Sequence, residues 1–309
     1  MKIKDEYIRL AAENIAEYFK KEASLGERQR ANFAELAAYA AQRAARDVRN
    51  REFFSSEMQI TSYLPEVDTF FAADGAIDEN RPFVDAKLAL SEAVFVADFC
   101  IKTTELLKTT ARLKPSPLLF VSGDGRKGGK VAFTDSLVLR KAFSEFSKVT
   151  QGLTATFVSS FTEACEDTAA GISDYCILPI ENSREGILTG MYSLIEKHEL
   201  FICGVCESVG EELTTKFALL CANGYGIIEK TKCRSITLRL FGGNSFSASR
   251  LYIGADMMQL EKGSSVSVPL GYTDGYAELC NFTGSGDMLF AFLLYLGAMR
   301  IGYTLVGAY

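Results

Sequence analysis

Glu181, Asn182 and Ser183 stand in a row where the apolar run Ile177-Leu-Pro-Ile180 ends and Arg184-Glu-Gly186 begins. A carboxylate, an amide and a hydroxyl side by side offer hydrogen bonds to a small ligand. The same residues also suit structural tasks: Ser183 could cap a helix and Asn182 could form a turn. From residue types alone the stretch reads as a polar turn or as a binding edge.

Three other places carry reactive residue types. Cys203-Gly-Val-Cys206 has the spacing of a redox or zinc pair. It lies in Phe201-Ile-Cys-Gly-Val-Cys, which reads as a strand, where positions three apart point to opposite faces. No second pair accompanies it, so a metal site is not expected. His198 is the sole histidine, at a helix end in Glu196-Lys-His-Glu. It reads as a structural cap, and no Ser-His-Asp triad forms without it. Ser122-Gly-Asp-Gly-Arg-Lys-Gly-Gly-Lys130 suggests a phosphate loop, but Asp124 occupies the place of the first required glycine before Gly129-Lys130. A strand follows Lys130 rather than a helix, so a glycine-rich hairpin is the expected form.

Composition narrows the class. The 309 residues are 48% hydrophobic and 23% charged, ordinary values for a folded chain of more than one unit. A net charge of -6 argues against nucleic acid, which requires a clustered basic face. Small anionic ligands remain possible. The Met1-Lys-Ile-Lys start lacks the apolar run of a signal peptide, and Met288 to Met299 is shorter than the about 20 residues of a membrane helix. Eight scattered cysteines fit a reducing compartment, and the expectation is a cytoplasmic protein that does not enter a membrane.

The elements that must hold the polar row follow from periodicity. Residues 1–115 are read as a helical N-terminal region, with an apolar stripe at Phe33, Leu36, Ala37, Tyr39, Ala40 and Ala44 and a solvated face at Arg43, Arg46 and Arg49. Val84 to Leu107 is a further helical pattern. From Val131 the chain alternates as an α/β layer: strand to Thr134, helix Leu137 to Phe146, strand Ala155 to Val158. Ser160-Phe-Thr-Glu163 has capping-box spacing, and Gly171 ends the helix that follows. Tyr175 to Ile180 reads as a strand covered on both faces, and a helix is expected from about Ile187. Glu181, Asn182 and Ser183 thus fall at the carboxyl end of a buried strand, where open α/β sheets bind ligands.

Ser159-Ser-Phe-Thr-Glu-Ala, Gly171-Ile-Ser-Asp-Tyr-Cys-Ile-Leu-Pro-Ile-Glu-Asn-Ser-Arg-Glu-Gly186 and Phe201-Ile-Cys-Gly-Val together resemble the first lobe of prephenate dehydratase. Thr214-Thr-Lys-Phe is similar to that family's Thr-Arg-Phe segment, with Lys216 in place of the arginine. Residues 116–226 would then be an α/β lobe, one half of a periplasmic-binding-protein-like fold. The order read beyond it, strand Ser235 to Leu240, helix Ser247 to Met258, strands Ser264 to Leu270 and Tyr276 to Phe282, helix Asp287 to Met299 and strand Tyr303 to Ala308, is βαββαβ. Residues 227–309 accordingly resemble a ferredoxin-like ACT domain.

The resemblance implies conversion of prephenate to phenylpyruvate with loss of carbon dioxide and water, without a metal or cofactor. Thr215 would be the catalytic threonine; Glu181, Asn182, Ser183 and Lys216 would bind substrate. ACT-like domains pair through their sheets, which implies a homodimer. The chain also departs from the pattern. Phe133-Thr-Asp-Ser-Leu-Val-Leu replaces a glycine-containing loop, only a few residues lie between Val209 and Thr214 where the second lobe belongs, and Phe241-Gly-Gly-Asn and Gln259-Leu-Glu-Lys replace the phenylalanine-binding motifs. An inactive sensor of an aromatic amino acid or keto acid is therefore the alternative.

Overall fold

A computed structural model describes residues 81–110, 128–209, 213–222, 233–241, 245–269, 276–299 and 301–309, with Ile8, Arg9, Ala12, Glu13 and Ala16 from the first helical stretch. The stripe at Phe33–Ala44, the arginines at 43, 46 and 49, and Ser122 to Lys127 of the glycine-rich loop lie outside the described residues.

The chain forms two compact units. One spans Met1–Pro117, Gly243–Glu261 and Gly284–Gly302, and contains helices α1 (Arg81–Thr110), α5 (Ser245–Met257) and α6 (Gly286–Ala298). Every residue of α6 from Leu289 to Ala298 is buried, which an apolar sequence on all sides of a helix requires. Ser285 caps it by accepting from Met288 N at 3.3 Å. A side chain at Gly254 of α5 would collide with the Tyr295 ring at 2.2 Å, so glycine sets the approach of α5 to α6. Tyr295 then donates its hydroxyl to the Arg250 carbonyl at 2.6 Å. Lys108 in the last turn of α1 pairs with Asp287 in the first turn of α6, where the helix dipole favours the carboxylate.

The second unit spans Leu118–Gly242, Lys262–Thr283 and Tyr303–Tyr309. It holds β1 (Gly129–Thr134), α2 (Leu137–Val149), β2 (Leu153–Val158), α3 (Phe161–Ala169), β3 (Tyr175–Asn182), β4 (Gly186–Ile187), α4 (Thr189–Lys197), β5 (Phe201–Val209), β6 (Thr214–Cys221), β7 (Ser235–Phe241), β8 (Glu261–Pro269), β9 (Tyr276–Thr283) and β10 (Tyr303–Ala308). Among the described residues these strands form one ten-stranded mixed sheet, ordered β2-β1-β3-β6-β5-β10-β7-β9-β8, with β4 beside β3.

Local sequence explains most of this layer. Leu139, Ala142 and Phe146 recur at helical spacing and are the buried residues of α2. Ser160 caps α3 by accepting from Glu163 N at 3.1 Å, and Gly171 ends the turn beyond it with φ +75°. Leu178 and Ile180 of β3 pack with Ala164, Cys165 and Ile195 from α3 and α4, so the apolar run is core.

The helix expected from Ile187 starts two residues later, at Thr189. Gly186, at φ +72°, turns the chain back so that Ile187 pairs with Glu181 as a short strand. Beyond the lobe, β7, β9 and β10 pair antiparallel, and β10 joins β5 in parallel at Gly307↔Ile202.

Candidate functional site

The β3–β6 ladder pairs Glu181 with Lys216 and Asn182 with Thr215; the β5–β6 ladder pairs Glu207 with Lys216 and Ser208 with Thr215. Directly paired residues share a sheet face and neighbours along a strand alternate, so the five expected site residues separate. Glu181 and Lys216 lie on one face with Glu207. Asn182 and Thr215 lie on the other with Ser208.

The charged row is satisfied within itself. Lys216 Nζ donates to Glu181 Oε2 at 3.1 Å and lies 4.0 Å from Glu207. This is the face of Val205 and Ala218, which belong to the core beneath α3 and α4. Tyr192 of α4 and Tyr309 pack against the same core. Burial pushes both phenols above their ordinary pKa, and the Glu181 carboxylate adds a smaller push to each. The Tyr309 hydroxyl accepts from Asn281 and shares a hydrogen with Thr237 at 3.1 Å. Lys216 is therefore engaged as a structural counter-ion on this face.

The polar edge of β3 is also partly engaged. Asn182 Oδ1 accepts from Arg184 N at 2.9 Å and Glu185 N at 2.6 Å, an Asx turn that leads into Gly186. Ser183 does not cap α4; its Oγ accepts from Thr214 N at 3.2 Å, while its own N–H donates to the Thr214 carbonyl at 2.9 Å. The stretch thus forms a polar turn at the end of β3.

On the second face the floor is apolar. Gly204 stands where a side chain would meet the Phe146 ring at 3.4 Å, and Cys206 Sγ is 4.0 Å from the Ala142 carbonyl, so α2 covers this side. Thr215 and Ser208 continue the same face toward the carboxyl edge of β3 and β5. They are 8% and 7% exposed, and neither hydroxyl has a hydrogen-bond partner among the described residues. Leu137, Val138, Phe157 and Val209, all exposed, border the same end of the sheet.

Of the remaining reactive groups, Cys206 lies two positions before Ser208 on the same face of β5. His198 occupies the C-cap of α4, with Nε2 buried and without a hydrogen-bond partner among the described residues; burial first, then Lys197, lowers its pKa below the usual imidazole value. Cys203 donates to the Leu219 carbonyl at 3.2 Å, and burial pushes the Cys206 thiol up to about 12. Among the described residues no group of His, Cys, Asp or Glu has the geometry of a metal site, and no helix is long and apolar enough to cross a membrane. Ser208 is the residue that sequence reading passed over. Its signal was alternation: it lies two positions beyond Cys206, on the side opposite Glu207.

Residues 126–225 match the family model of prephenate dehydratase. No curated protein matches the chain in sequence. Among solved structures, the chain is similar to prephenate dehydratase from Streptococcus mutans, with 20% identity and a TM-score of 0.48, covering 58% of this chain and 97% of that one. It is also similar to GqqA, described as a novel type of quorum quenching acylase, at 17% identity and a TM-score of 0.46, covering 60% of this chain and 95% of that one. A third similarity is to prephenate dehydratase from Arthrobacter aurescens in complex with L-Phe, at 16% identity and a TM-score of 0.44, covering 58% of this chain and 89% of that one.

Proposed function

We propose that this prephenate dehydratase-family member, recognised over residues 126–225, turns prephenate into phenylpyruvate at the carboxyl edge of β3 and β5. The carrying observation is the Thr215 hydroxyl: 8% exposed, without an internal partner among the described residues, and beside Asn182 on the α2-covered face.

In that reaction the bond from the ring to its carboxylate breaks and its electron pair enters the ring. The bond to the ring hydroxyl breaks in turn, and the departing oxygen needs a proton to leave as water. Aromatisation supplies the driving force, so the protein's task is orientation and hydrogen-bond donation. Thr215 donates to the departing oxygen, and a proton it delivers is replaced from solvent. Asn182 and Ser183 orient the substrate from the strand edge, Asn182 through its remaining amide N–H groups. Glu181 and Lys216 serve the site from the opposite face, by pinning β3 to β6.

The test is phenylpyruvate formation from prephenate by the full chain. Wild-type turnover that Thr215→Val reduces at least about a hundredfold, a typical effect of losing a transition-state donor, supports the reading. Absence of turnover in the wild type overturns it.

A further inference from the structure

We propose that Ser208 is a second substrate-contacting hydroxyl of this site, and that Ser208 and Thr215 together hold one neutral oxygen, the ring hydroxyl that departs. The inference rests on the reading above and names which part of the substrate meets this face.

Ser208 and Thr215 are direct partners across the β5–β6 ladder. Their β-carbons are therefore about 5 Å apart, close enough for one oxygen to receive a hydrogen bond from both side chains. Glu181, Lys216 and Glu207 form the charged row on the opposite face, while Asn182 Oδ1 closes a turn and Ser183 Oγ receives Thr214 N. Ser208 and Thr215, 7% and 8% exposed, have no such partner among the described residues.

The chemistry of the bound group follows from the surroundings. Below the pair on the same face lie Cys206 and buried Phe217, themselves paired across the ladder. The cation of these strands, Lys216, points to the other face and is held by Glu181. A carboxylate placed between the two hydroxyls would lose water without gaining a positive charge, whereas a neutral alcohol exchanges its hydrogen bonds at little cost. The low polarity of the floor strengthens those bonds.

Ser208→Ala is expected to lower kcat/KM for prephenate about tenfold while leaving competitive inhibition by phenylpyruvate, which lacks the ring hydroxyl, unchanged. Ser208→Thr, which keeps the hydroxyl, restores most of the rate. Unchanged kcat/KM in Ser208→Ala overturns the inference while wild-type turnover still upholds the function. Equal loss of phenylpyruvate affinity, or failure of Ser208→Thr to restore the rate, also overturns it by marking Ser208 as purely structural. A wild type without turnover overturns both.

Discussion

Ser183 and Thr214 exchange two hydrogen bonds at the open end of the β3–β6 ladder, N–H to carbonyl at 2.9 Å and N–H to Oγ at 3.2 Å. The serine side chain takes the place of a ladder carbonyl, so the pairing of Asn182 with Thr215 is held one step beyond the last regular bridge. Ser183→Ala leaves the Thr214 N–H without that acceptor. A stability loss of about 1 kcal/mol is expected. Amide exchange at Thr214 should quicken roughly fivefold, the rate equivalent of that loss for local opening; an unchanged rate would mean that water replaces the hydroxyl without penalty.

Lys216 and Glu181 form a pair whose side chains are 36% and 37% exposed. Solvent screening keeps such a pair weak, so a double-mutant cycle with Lys216→Ala and Glu181→Ala should give a coupling of about 0.5 kcal/mol by thermal unfolding. Lys216→Met should retain most turnover, because the ammonium faces away from Thr215. A thousandfold loss would instead place the ammonium on the substrate.

Gly307 joins β10 to β5. A β-carbon there would lie 2.8 Å from Ile202 Cβ and 3.1 Å from the Ile202 carbonyl oxygen, with a side chain and a backbone atom both in the way. Gly307→Ala is expected to cost about 1–3 kcal/mol, the usual range for overpacking. Gly302→Ala, where a β-carbon meets nothing within 4 Å, is the control. Equal melting temperatures for the two variants would refute the close-approach argument.

This join also marks where sequence reading stopped. The strands and helices of residues 129–221 were legible because each carries its own signal: the Tyr175–Ile180 apolar run, the Ser160–Glu163 cap, and the spacing of Leu139, Ala142 and Phe146. The polar row at Glu181–Ser183 was legible as an edge for the same reason. Its division between two faces was not, because that depends on which residues of β6 stand opposite: Lys216 faces Glu181 and Thr215 faces Asn182, and the chain between them gives no local sign of that register. The two-residue strand Gly186–Ile187 has too little sequence for a period of its own. The union of β10 with β5 rests on one glycine's missing side chain, which no local pattern announces.

Arg239 on β7 and Glu196 in the last turn of α4 form an ion pair with side chains 14% and 5% exposed. Removing one charge from so enclosed a pair costs far more than at the surface. Glu196→Gln should lower stability by about 3 kcal/mol in denaturant unfolding. Replacing both residues by methionine should recover much of that loss, since neither buried charge then remains. If the single variant unfolds like the wild type, the pair is not energetically coupled to folding.

Glu163 gives the pH dependence. Its Oε2 accepts from Ser159 N at 2.8 Å and from the Ser159 hydroxyl, while its own N–H donates to Ser160 Oγ at 3.1 Å. The two bonds from Ser159 hold the carboxyl below its ordinary value of 4.5, the side-chain bond contributing most. A folded pKa below the unfolded one means that the charged form stabilises the fold above the unfolded pKa. That contribution fades as pH falls through the depressed folded value. The first turn of α3 should therefore loosen in acid below about pH 4.5, in step with protonation of Glu163. Carboxyl-carbon titration by NMR should show a depressed Glu163 midpoint that Ser159→Ala moves upward by removing the side-chain donor. If the midpoint in Ser159→Ala equals that of the wild type, the hydroxyl is not what holds the carboxylate.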